Sequence, residues 1–223
     1  MQTPRPDRST RLRQDGGVHA FRRTRDGYQT RLDGDERAII ARVVSDVAQL
    51  LGFDVTQPPA EPDEANQGLP NLTWPSVGLG DDASEDSFGA EAVREPLDPA
   101  LARLLPSASE DDAVAREVRA LTEESVRTAK GERLRTLWWA LQAPGHKVTI
   151  PVERAMDWAG ALTDVRLVLA QRLGVEDAED ASDLEAVATS GTDEVSRALA
   201  SLYLALSWLQ ESLLEAMLSD LPE

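Results

Sequence analysis

The segment EVSRALASLYLALSWLQESLLEAML, residues 194–218, places Val195, Leu199, Leu202, Leu206, Leu209, Leu213 and Met217 three or four positions apart. At about 100° per residue these side chains form one stripe along a helix of roughly 37 Å. So long an apolar stripe is stable only against a matching apolar face, and the rest of the chain has to supply it. The demand points to a helical bundle, and three other segments carry the same periodicity.

In DGDERAIIARVVSDVAQLLG, the side chains of Ile39, Ile40, Val43, Val44, Val47, Leu50 and Leu51 share one face. Asp33 can cap this helix, Glu36 stands at its third position as in a capping box, and Gly52 ends it. In SEDDAVAREVRAL the acids lie at the positive N-terminal end of a helix. Thr122 then reads as a fresh cap, which predicts a bend and a second helix to Leu141. LDPALARLLP reads as a short helix, with Pro99 in its first turn and Pro106 beyond its end. A middle helix is expected from Pro151 or Val152 to Gly174, followed by an acidic loop before the last helix begins near Glu194.

Strand signals are few. Asp26-Gly27 in HAFRRTRDGYQTRL marks a tight hairpin, because glycine supplies the positive φ that a primed turn requires. A lone hairpin is marginal in water. The β-branched run KVTI, residues 147–150, is therefore assigned as its third strand. The expected fold is mainly α: a helical bundle with a small antiparallel β-hairpin or three-stranded sheet near the N-terminus.

Residues 1–17 carry four arginines without aromatics or periodicity and read as a disordered basic tail. Residues 18–52 hold the hairpin and first helix. Residues 53–95, rich in Pro, Gly and acids, read as a disordered linker, and 96–219 supply the remaining helices of the same domain.

Charge and composition exclude several functions. The net charge is −17, with a sequence pI near 4.5, a field that repels nucleic acid and anionic lipid. Acids outnumber bases 14 to 3 over 32–95 and 15 to 4 over 151–223, whereas bases lead 8 to 3 over 1–31. The chain has no cysteine, which removes disulfides, thiolate zinc sites and thiol switches. It has no apolar run of membrane-spanning length and no signal-peptide core, so a cytoplasmic location is expected.

Catalytic sets are thin. His19 and His146 are the two histidines, one on the hairpin and one in a turn, and no serine sits in a GxSxG frame. SVGLGDDAS has a Gly-x-Gly without a strand before it or a helix after it. EDAEDASDLE lacks the glycine that a calcium loop of the EF-hand type requires. No catalytic, cofactor-binding or metal-ligating residue is assigned. The basic residues Arg116, Arg119, Arg127, Lys130, Arg133 and Arg135 are interspersed with Glu117, Glu123 and Glu132, and direct nucleic-acid binding is not expected.

Two pairs of residues depart from the apolar patterning. Arg166 falls inside the arc of Ala155, Met156, Ala159, Leu162, Leu169, Ala170 and Leu173, with Asp164 on the polar side beside Glu153, Asp157 and Gln171. Gln210 lies on the apolar side of the last helix. Arg166 is read either as a structural polar lock with Gln210 or as a ligand for a small anion in an enzyme or binding protein. Leu204 and Trp208 lie opposite the stripe and want cover, from this chain, from a second copy in a homodimer, or from another protein.

The fragments FRRTRDGYQTRLDGDER, DPALARLLPSA, LTEESVRTAKGERL, ALTDVRLVLAQRLG and SWLQESLLEAML, in this order, resemble an actinobacterial family of unknown function. That family includes the oxidative-stress regulator AosR, and its members are commonly encoded beside the ClpS adaptor. The resemblance spans residues 20–51 and 96–219 and implies a mostly helical cytoplasmic regulator that works through protein contacts, linked to transcription under stress. Sensing through a cysteine pair does not carry over to a chain without cysteine. The expected function is thus a non-enzymatic regulatory or adaptor protein with a protein partner, without cofactor or membrane association.

Overall fold

The computed structural model describes residues 18–58 and 98–220. The tail 1–17 and most of the expected linker therefore lie outside the described residues. Strands β1 (Arg22–Thr24), β2 (Gly27–Arg31) and β3 (Lys147–Ile150) form an antiparallel sheet in the order β1-β2-β3. Arg23 pairs with Tyr28, and Tyr28 in turn with Ile150. Gly27 turns the hairpin at φ 127°, and a Cβ there would collide with the Ile150 carbonyl, so glycine serves both the turn and the close approach of β3.

Helix α1 (Gly34–Leu50) carries the expected capping box, Asp33 accepting from Glu36 N–H and Glu36 from Asp33 N–H, both at 2.8 Å. The remaining helices are α2 (Pro99–Leu104), α3 (Asp112–Gln142), α4 (Ala155–Arg172), α5 (Ala178–Ser190) and α6 (Glu194–Leu218). A single 3₁₀ turn, Val152–Arg154, leads into α4.

Helix α4 is the hub. Ala155, Trp158, Ala161, Leu162, Val165, Val168 and Leu169 are all buried, so its apolar surface runs round most of its circumference. Neighbours α2, α3 and α6 pack on it from different sides. The sheet closes one end, where Phe21 meets Trp158 edge to face at 6.1 Å and Phe21 N–H donates to Ser212 Oγ on α6.

Several expectations change. The bend at Thr122 is absent, because the Thr122 hydroxyl donates to Val118 O within an unbroken α3 and does not cap. The acidic loop after α4 is helix α5, whose acids obscured a helical stripe. Ala181, Leu184, Val187 and Ala188 join a second cluster with Val175, Ala200 and Leu204, while Asp177 and Asp180 bond to the N-terminal backbone. Ile39, Met156 and Val195 are exposed rather than in the core.

Residues 53–58, placed with the linker on composition, are held against α3. Val55 is buried, Phe53 lies on Gly131, and the Trp139 indole donates to Val55 O and Gln57 O at 3.0 and 2.9 Å. A single proline-rich stretch downstream had masked two core contacts.

Candidate functional site

Arg166 and Gln210 meet between α4 and α6. An Arg166 terminal nitrogen donates to Gln210 Oε1 at 2.7 Å, and Gln210 Nε2 donates to Ala159 O at 3.1 Å and Thr163 Oγ1 at 2.7 Å. The other Arg166 terminal nitrogen reaches the Tyr203 hydroxyl at 3.3 Å, with the guanidinium 5.1 Å from the Tyr203 ring centroid. The network satisfies both ends of the Gln210 amide and crosses from one helix to the other. No carboxylate among the described residues lies within ion-pair distance of Arg166, and its Nε is shielded without a partner there. Tyr203 is a member that the apolar-face argument did not single out, since aromatics fit that face without comment.

The face opposite holds a second polar crossing. Asp164, expected on the polar side, is buried with 2% exposure and accepts from Lys130 of α3. It is drawn inside because α4 is surrounded, so its polar side in sequence faces α3 rather than water. Burial raises the Asp164 pKa, and Lys130 acts against that shift. Further along, Asp157 pairs with Arg154 at 3.3 Å and Arg133 at 3.7 Å.

Arg166 and Lys130 are half-buried; the one buried cation among the described residues, Arg37, was not singled out from the sequence. Arg37 is 8% exposed and gives its guanidinium to the carbonyls of Leu141, Ala143 and Gly145, closing the turn between α3 and β3. Its signal was present: Arg37 stands three, four and seven residues before the buried Ile40, Ala41 and Val44. Like Arg166, it interrupts an apolar face and requires acceptors.

The cations of α3 largely serve the molecule itself. Lys130 and Arg133 bridge to α4, Arg127 holds Glu123 at 2.7 Å, and Arg135 holds Glu132 at 2.8 Å while lying over the Phe53 ring. His19 and His146 are brought to one open cleft of about 650 Å³, with Arg31, Asp33, Glu36 and Lys147. Strand β2 and its continuation set this pairing, His19 N–H donating to Arg31 O and Leu32 N–H to His146 O. The Arg166 network lies elsewhere. Among the described residues no group of three or more His, Asp or Glu is placed to hold a metal ion, and no helix is long and apolar enough to cross a membrane.

Leu204 and Trp208 part company. Leu204 is half-buried in the cluster under α5, whereas Trp208 is 40% exposed.

The fold and these crossings define a helical bundle capped by a three-stranded sheet, its helices tied together by interior cations. Residues 18–217 match the family described as Domain of unknown function (DUF2017), and the chain belongs to that family. No curated protein and no solved structure matches it.

Proposed function

We propose that this chain is a non-enzymatic regulatory or adaptor protein that acts through contacts with another protein. The observation that carries the reading is the first half of α3. From Asp112 to Lys130 no residue is buried, yet the helix keeps large apolar side chains there, with Leu121 75% exposed. An apolar stripe that no described residue covers, on a regular helix, has the character of a docking surface. The resemblance to the actinobacterial family of AosR, with its neighbouring ClpS genes, supports the same direction and adds a cytoplasmic setting and transcriptional control under stress. Thiol sensing has no residue to act through in this chain.

The test is a photo-cross-linking residue placed at Leu121 in native cells, with a control at the exposed Glu185 of α5. A discrete adduct from position 121 and none from 185 is expected. Equal labelling at both positions, or none, overturns the reading.

One observation favours a second reading. Arg166 carries its charge without a carboxylate among the described residues, as an arginine that receives a small anion would. Its donors to Gln210 and Tyr203 are already engaged, which favours the lock. Titration calorimetry with inorganic phosphate, wild type against Arg166→Met, separates the two: heat that disappears in the variant supports the anion site.

A further inference from the structure

The proposal that follows rests on the contact reading and names the chemistry of the partner. Along α3 the apolar face changes sides. Leu134, Leu137 and Leu141 point into the core, whereas the apolar Val114, Val118 and Leu121, followed by the polar Ser125, fall within a sector of about 60° on the opposite side of the helix. Val114, Leu121 and Ser125 are exposed and Val118 is half-buried.

The charges divide in the same way. Glu117 and Glu124, one heptad apart, line one flank of this outward stripe, and Glu110, a heptad earlier, stands just before the N-cap Asp111. All three are exposed, and none forms an ion pair among the described residues. The cations of the same half-helix turn away from this face. Arg127 bonds Glu123 at 2.7 Å, Arg119 lies 3.9 Å from Glu123, Lys130 binds Asp164, and Arg116 donates to Asp112 O at 3.1 Å. What remains outward is apolar and negative.

We infer that this face docks a cationic amphipathic helix of a partner protein, whose apolar stripe lies on Val114, Val118 and Leu121 and whose Lys or Arg residues flank Glu117 and Glu124. Two other occupants are disfavoured by the same charges. In a second copy laid antiparallel about Leu121, Glu117 would meet Glu124 of its mate, like against like. Nucleic acid would meet carboxylates where it needs cations.

The probe is a synthetic peptide of roughly three heptads, with leucine at the seam positions and lysine at the flanking ones, followed by fluorescence anisotropy with the full chain. Binding is expected, and a scrambled peptide of the same composition should bind about tenfold more weakly or worse, since it has charge but no stripe. Leu121→Asp should weaken binding by about tenfold or more, and Glu117→Gln with Glu124→Gln by about threefold with a shallower salt dependence. The charge-matched control Asp183→Asn with Glu185→Gln on α5 should leave affinity unchanged. Leu121, Glu117 and Glu124 are exposed, so these variants should keep the wild-type melting temperature. Absence of binding, equal binding of the scrambled peptide, or indifference to Leu121→Asp overturns the proposal. If cross-links form at Leu121 while the peptide does not bind, the contact reading stands and the cationic partner falls.

Discussion

Replacing Arg37 by Met tests whether an interior guanidinium holds α1 to the end of α3. Arg37 Nε donates to Leu141 O at 2.8 Å, and the terminal nitrogens serve Ala143 O and Gly145 O. Hydrogen bonds from a charged donor contribute about 1.5–3 kcal/mol each. Ala143 and Gly145 are exposed, so water replaces most of what their carbonyls lose, while the Leu141 residue is buried. A cation at a helix C-terminus adds about 0.3–1 kcal/mol. Methionine keeps most of the stem packing, so the expected loss is about 2–4 kcal/mol, or a fall in melting temperature of about 5–15 °C for a chain of this size. Arg37→Lys should recover no more than about 1 kcal/mol, because an ammonium cannot reproduce the planar fork. Thermal melts and urea titrations of the three proteins decide the matter. A methionine variant within about 2 °C of wild type, or a lysine variant that restores full stability, refutes the capping argument.

Arg166→Met should lower stability by about 1–3 kcal/mol, since it removes the donor to Gln210 Oε1 in a partly buried network; urea unfolding that is unchanged would show that the lock adds nothing. For Asp164, whose folded pKa is raised by burial, the linked stability is present below the ordinary carboxylate pKa and is lost as pH rises through the folded value. Urea titrations across that range should therefore show wild type losing ground to Asp164→Asn as pH rises from about 4, and a difference that grows in favour of wild type would contradict the sign. Trp208→Ser and wild type should both sediment as monomers of 24.3 kDa at tens of micromolar, because Leu204 is half-covered by α5 and Trp208 alone offers too little area. A wild-type dimer abolished by Trp208→Ser would restore the last helix as a self-contact.

The outline of this fold was legible wherever the information is local. Asp26-Gly27 sets a hairpin because the turn chemistry lies in two adjacent residues, and Asp33 with Glu36 sets a capping box within one turn of helix. The stripe of α6 and the sheet partnership of residues 147–150 followed from periodicity and from the need of a hairpin for support. The pairing of Arg166 with Gln210 was also within reach, since each interrupts an apolar face and such groups require partners.

Tertiary structure decided the rest. Periodicity names the apolar side of a helix, but it does not say that a polar side faces water. Because α4 lies among α2, α3 and α6, Asp164 is buried against Lys130 instead of being solvated. Helix α5 carries a short stripe of Ala181, Leu184, Val187 and Ala188, and Val175, Ala200 and Leu204 supply the surface that buries it. Phe53 and Val55 leave the composition of a linker for the flank of α3, where Gly131 gives Phe53 room. A residue's own neighbours in sequence fix its turn, its cap and its face. Whether that face meets water, an ion partner or another helix depends on how distant segments are packed, and in this chain that packing turned charged side chains into interior cross-links.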